Sequence, residues 1–188
     1  DLVLSVPYTQ DMTQNVIDLF QVIDANEDNT TWKWSEDYGT NYSYNYSNAA
    51  DDYLISMPIA LETGKSYFVA VTARAYNASY PDQFEVLIGK EATVAGLTQT
   101  VIASTDVTST EDEEFEGEFS VAEDGNYYVA IHATSAANMW RLIVSQLSVV
   151  MGADPAAPAA IELTAEPGAQ GAAEVNLSFT APSFAVNG

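Results

Sequence analysis

The sequence predicts an all-β fold, a sandwich or jelly roll of many short strands. Residues 51–73, DDYLISMPIALETGKSYFVAVTA, read as strand, turn and strand. Tyr53, Ile55 and Met57 share one parity and Leu54 and Ser56 the other, and Leu61-Glu62-Thr63-Gly64-Lys65 carries turn chemistry. A two-stranded unit is marginal in water, so these runs must belong to a larger sheet. Downstream, Phe115, Gly117, Phe119 and Val121 alternate with Glu116, Glu118 and Ser120, the period of a half-buried strand. No long amphipathic helix interrupts the series, which argues for stacked sheets.

The remaining elements follow in order. Residues 2–6 form a short strand closed by Pro7, and residues 10–15 are polar. Val16, Leu19, Phe20, Val22 and Ile23 mark a short apolar element leading into a strand. Residues 24–31, DANEDNTT, form an acidic loop, after which Trp32-Lys33-Trp34 is extended. Tyr42, Tyr44 and Tyr46 alternate with Ser43 and Asn45, as in an edge strand. Residues 84–88 are a buried strand, 91–99 a connector with one helical turn, 100–103 a short strand and 108–114 an acidic loop. Glu123-Asp124-Gly125-Asn126 is a hairpin signal, with 127–132 pairing back. Residues 139–150 close the domain, with Trp140 expected in the core. Residues 1–150 thus form one domain, and 151–160, MGADPAAPAA, a Pro/Ala linker. In 161–188, Ile161, Leu163 and Ala165, then Val175, Leu177 and Phe179, alternate as one further strand pair.

Composition excludes several functions. The chain carries 27 acidic and 5 basic residues, a net charge of −22. Nucleic-acid binding and adsorption to anionic membranes both need clustered Lys and Arg, so neither is expected. No run approaches the roughly 20 apolar residues of a membrane helix, so membrane insertion is not expected. With no cysteine, thiol catalysis and cysteine-ligated zinc are impossible. The chain opens on a β-like run, as expected if upstream sequence had been removed.

The candidate binding residues are aromatic. Trp32, Trp34, Tyr38, Tyr42, Tyr44 and Tyr46 crowd a short stretch. Exposed rings could stack on sugar faces or anchor a protein partner; the alternative is core packing with hydroxyls satisfied locally. Asp24-x-Asn26-x-Asp28 supplies oxygen ligands of the kind calcium takes, against the alternative of a solvated acidic turn. It is not an EF-hand, because Asn29 and Ser35 stand where that loop needs Gly and Glu. No catalytic residue is singled out. His132, the one histidine, lies inside the apolar run YYVAIHA and reads as a hydrogen-bonded buried imidazole; no nucleophile motif accompanies it. A glycosidase would need a carboxylate pair, and nothing distinguishes one.

The ordered segments FQVIDANEDNTTW, ADDYLISMPIALETGKSYFV, FEVLIGK, GNYYVAIHA and WRLIVSQLSVV are similar to those of cleaved-adhesin, or choice-of-anchor-J, domains of Bacteroidetes surface proteins, the gingipain haemagglutinin type. The residues after the linker resemble the start of a fibronectin type III module, cut short. The resemblance implies a jelly-roll β-sandwich of galactose-binding or concanavalin-like kind, followed by strands of an incomplete second sandwich. It also implies secretion, display on a bacterial cell surface, and non-catalytic adhesion or ligand binding alongside neighbouring modules of the same polypeptide. The partner would be a host protein or a glycan; the alternative function is a carbohydrate-binding module of a larger glycan-processing protein. The resemblance further implies that Asp51 and Asp52 join Asp24, Asn26 and Asp28 around a structural calcium, no other cofactor being required. Two departures stand out: Glu27 occupies a place where relatives often carry glycine, and Val144-Ser145-Gln146 replaces an acidic pair.

Overall fold

A computed structural model describes residues 2–152, together with the strands Leu163–Pro167 and Val175–Phe179. Residues 1–152 form one unit, a sandwich of two sheets, with strands numbered in chain order. The first sheet runs through β10 (Gln99–Val107), β9 (Asp82–Gly89) and β12 (Gly125–Ala133). Strand β12 pairs early in its length with β7 (Ile59–Leu61) and late with β6 (Asp52–Ile55); β1 (Leu4–Ser5) and β3 (Gln21–Asp24) flank these. The second sheet runs through β11 (Glu113–Phe119), β8 (Tyr67–Ala75) and β13 (Arg141–Met151). Strand β13 then pairs with β5 (Gly39–Ser43) and β2 (Tyr8–Asp11), and β4 (Trp32–Ser35) lies outside β5. All these pairs are antiparallel except β1 with β7.

The alternation read from the sequence produces the core. Phe84, Val86, Val129 and Ile131 of one sheet face Val69, Val71, Leu142, Val144, Leu147 and Val149 of the other, all fully buried. Phe84 meets Phe115 edge to face across the gap, with centroids 5.2 Å apart. Gly117 is required where β11 approaches β10, because a Cβ there would lie 2.6 Å from the Val101 carbonyl oxygen. A smaller cluster of Tyr53, Ile55, Ala130 and Leu97 sits on the outer side of the first sheet, under the segment that carries the 3-10 turn Val94–Gly96.

Several sequence expectations need correction. The two runs within 51–73 do not pair with each other: β6 and β7 lie in the first sheet and β8 in the second. The Asp124-Gly125 turn is likewise a corner between sheets, since β11 pairs β8 while β12 pairs β9. Turn residues show that a chain reverses; the partner is chosen by which face must be covered. The strand expected over 41–47 stops at Ser43, so the tyrosine stripe is broken. Tyr8–Asp11 is a strand the sequence reading did not identify, and β10 is longer than expected. Strand β13 reaches Met151, one residue into the expected linker; the rest of that linker lies outside the described residues except Gly152. In the second unit, β14 (Leu163–Pro167) and β15 (Val175–Phe179) pair antiparallel, Leu163 opposite Phe179.

Phe84→Ala leaves a cavity at the centre of the sandwich and is expected to cost about 3–5 kcal/mol in urea unfolding, whereas a loss below about 1 kcal/mol would show that this interior is not close-packed.

Candidate ligand-binding site

Loops 25–31, 44–51, 76–81 and 134–140 all leave strands at the same end of the sandwich. They are fastened to one another by backbone bonds. The Tyr44 N–H donates to the Trp140 carbonyl (3.2 Å), Asn138 N–H to the Asn45 carbonyl (2.8 Å) and Ala50 N–H to the Ser135 carbonyl (2.8 Å). The Asn45 side chain adds a bond to Thr30 Oγ1 at 3.1 Å. Buried Asp82, at the start of β9, accepts from the Ser135 hydroxyl (2.9 Å) and the Arg141 N–H (3.1 Å). It thereby holds together the strand starts that carry Tyr80 and Trp140. Burial pushes the Asp82 carboxyl up to about 6, against the pull of Ser135 and Arg141.

On this base sits an open notch of about 180 Å³ lined by Tyr44, Tyr46, Tyr80, Asn138 and Trp140. Trp140 is 39% exposed and lies one residue before β13, after Asn138 has turned the chain with φ 63°. Its indole is gripped edge to face by Tyr76 (5.2 Å) and Tyr80 (5.3 Å), and Tyr76 in turn meets Tyr38 (5.6 Å). Tyr44 and Tyr46 form a second perpendicular pair at 5.1 Å, and the hydroxyl interaction with Tyr46, which favours the protonated form, is the main cause raising the Tyr44 phenol. Arg141 lies over the Tyr38 ring at 4.2 Å and donates to Asn41 Oδ1 at 2.7 Å.

The six aromatics singled out in sequence therefore divide. Trp32 (3% exposed) and Tyr42 (1%) are core, stacked edge to face at 6.0 Å. Trp34 donates its indole N–H to the Thr13 carbonyl at 3.0 Å and lies away from the notch lining. Tyr38 supports the ring chain, Tyr44 lines the notch, and Tyr46 is 74% exposed at its rim. Trp140 corrects the sequence expectation of a core residue. It precedes the strand, at a turn that the run 139–150 conceals. Tyr76, Tyr80 and Asn138 carried no sequence signal; Tyr80 follows a turn in which Ser79 N–H donates to Asn77 Oδ1 at 2.9 Å.

The acidic loop crosses from β3 to β4, and thus from one sheet to the other. Asp24 accepts from the N–H groups of Asp28 (3.1 Å) and Asn29 (2.8 Å), and Asp28 accepts from Thr30 N–H at 2.7 Å. Asn26 reaches the Ala49 carbonyl at 2.8 Å. Glu27 takes φ 56°, the left-handed region that favours glycine. Beneath the loop, the Trp32 indole N–H donates to the Asp52 carbonyl at 3.0 Å, tying the two sheets. The Asp52 side chain points into the buried end of the core. Its Oδ1, together with Asp28 Oδ2, the Thr31 hydroxyl and the Tyr42 hydroxyl, is buried without a hydrogen-bond partner. The Thr31 and Tyr42 hydroxyls lie near enough to influence Asp52, but neither completes a bond of ordinary geometry. Burial foremost, then the charges of Asp24 and Asp28, push Asp52 up to about 6, while Thr31 and the Asp51 N–H oppose this. These oxygens are the hard donors that calcium takes. Among the described residues, no three carboxylate or histidine groups gather as a metal site, so the fit is carried by the orphaned oxygens of Asp28 and Asp52.

Asp51 goes elsewhere. With opposite parity to Asp52, it accepts at 2.8 Å from His132 Nε2 on the outer side of the first sheet, while His132 Nδ1 contacts Glu85 Oε1 at 2.8 Å. The imidazole stacks on Tyr53 at 3.9 Å. Both ring nitrogens are engaged by carboxylates, the satisfied histidine expected from sequence.

No protein-family model and no curated protein matches the chain. Among solved structures, the K1 cleaved adhesin domain of Lys-gingipain from Porphyromonas gingivalis W83 is similar, with a TM-score of 0.63 at 12% identity over 78% of this chain and 99% of that one. The K3 domain of the same protein gives 0.61 at 11% identity, over 76% and 96%. The CBM22-1 xylan-binding domain of Xyn10C from Paenibacillus barcinonensis gives 0.53 at 8% identity, over 77% and 92%. The likeness is one of fold: the chain shares the two-sheet architecture of these domains.

Because the Asp52 pKa is raised in the folded state, its neutral form supports folding below about pH 4 and that support is lost as pH rises through about 6. With chelator present, Asp52→Asn should therefore gain stability relative to wild type between about pH 4 and 7 in urea titrations; a difference that does not change with pH would contradict the burial of that carboxyl.

Proposed function

We propose that this chain is a non-catalytic adhesion or ligand-binding module of a secreted or surface-attached bacterial protein. One observation carries the reading: an open aromatic notch mounted on mutually bonded loops at one end of a rigid sandwich. Loops presented by such a scaffold are the usual seat of recognition. The engagement of both His132 nitrogens by carboxylates supports a role outside catalysis. The fold shared with adhesin and xylan-binding domains supports an extracellular setting. Exposed rings suit a host protein or a glycan, and exposed Trp140 favours as second reading a carbohydrate-binding module of a larger glycan-processing protein. The pair β14 and β15 is read as the opening of a fibronectin type III-like neighbour.

A structural calcium belongs to this proposal. Asp28 and Asp52 would hold it through their orphaned oxygens, with Asp24 alongside, and the ion would offset the buried charge and stiffen the crossover from β3 to β4.

Two outcomes are expected. Calcium should raise the melting temperature relative to chelator in wild type and not in an Asp28→Asn/Asp52→Asn variant, since a ligand of the native state adds stability by mass action; superimposable wild-type curves would reject the ion. On arrays of host matrix proteins and glycans, a Tyr46→Ala/Trp140→Ala variant should lose the binding shown by wild type while keeping its melting curve; retained binding would place the contact surface elsewhere.

A further inference from the structure

Resting on the reading of the notch as the binding surface, we infer that it seats the face of one uncharged sugar ring of a glycan chain. Its volume, about 180 Å³, falls below the roughly 300 Å³ at which pockets for drug-sized ligands begin. It has room for one small ring and not for a cluster of side chains from a protein surface.

The lining chemistry narrows the class. Tyr44, Tyr46, Tyr80 and Trp140 offer ring surface, and the tyrosine hydroxyls with the Asn138 amide offer donors and acceptors at the same place. A pyranose matches that combination, since it presents C–H groups on its faces and hydroxyls around its edge. A protein anchor would instead be best served by a pocket that desolvates fully around an apolar side chain.

Charge decides between neutral and ionised sugars. No residue lining the notch is charged. The neighbouring cation, Arg141, is committed to Asn41 Oδ1 and the Tyr38 ring. An acidic sugar would meet no counter-ion there and would approach against a net charge of −22. A cationic side chain would be drawn by the aromatic faces and the net charge of −22, but it would find no lining carboxylate and would leave the tyrosine hydroxyls and the Asn138 amide without the ring of hydroxyls that a sugar offers.

Geometry supplies preorganisation. Trp140 is braced by Tyr76 and Tyr80, and its backbone carbonyl is bonded to Tyr44 N–H. Little rotamer freedom remains to be lost on binding, which is where weak ligands gain affinity.

The test follows the Trp140 indole NMR signal, assigned with Trp140→Phe, during titration of the full chain. The probes are neutral xylo-, cello-, manno- and galacto-oligosaccharides, oligogalacturonate, and lysine-rich and proline-rich peptides. At least one neutral series should shift the signal saturably, with affinity falling about tenfold or more in Tyr46→Ala, whose exposed ring can be removed without unfolding the chain. Lys90→Ala, outside the notch, should titrate as wild type. A response confined to oligogalacturonate or a peptide would overturn the neutral-sugar assignment while leaving the notch as the binding surface. Silence toward every probe would overturn both.

Discussion

Two sheets share one apolar interior, and the chain repeatedly crosses over its open end. That constraint organises the molecule. Each crossing segment carries peptide groups that must find partners near a dry core, so the loops bond to one another through Asn45, Asp82, Ser135 and their backbones. Polar side chains such as Asp82 and Ser135 are buried there, while Tyr46, Tyr80 and Trp140 lie exposed on the same end. Asp82 and the notch meet where these crossings are fastened, since Asp82 binds the segments that carry Tyr80 and Trp140.

Asp52 shows where the arrangement is incomplete. Asp82 is bonded on both oxygens, whereas Asp52 keeps one oxygen buried without a partner beside Asp28. Both carboxyls are raised by burial, but only one is satisfied by the chain itself. An unpaired buried oxygen at the crossing between sheets is a local cost that a cation or a proton relieves. Glu27, held at positive φ in the same loop, adds backbone strain where glycine would relax it.

The strands were legible because burial on one face leaves a period of two, and Phe84, Val86, Ile131 and Leu142 lie where that period puts them. Pairing was not legible. Asp124-Gly125 looks like a hairpin turn, yet the strands on either side enter different sheets, because alternation records which side is buried and not which neighbour covers it. The site was half visible. Tyr44 and Tyr46 could be named from the aromatic cluster and its alternation, but Trp140 sits beside a long apolar strand and borrows its appearance. Trp32 and Tyr42 follow the alternative of core packing, folding inward although their sequence neighbours are polar.

The three tryptophans provide the most direct test of this account, because their indole N–H groups are assigned different fates. Trp32 donates to Asp52 and Trp34 to Thr13, while the Trp140 N–H has no hydrogen-bond partner among the described residues. Hydrogen exchange of the indole protons should show Trp32 and Trp34 protected and Trp140 exchanging freely at the mouth of the notch. A Trp140 proton as slow as that of Trp32 would mean that the ring is buried and that the binding surface described here does not exist.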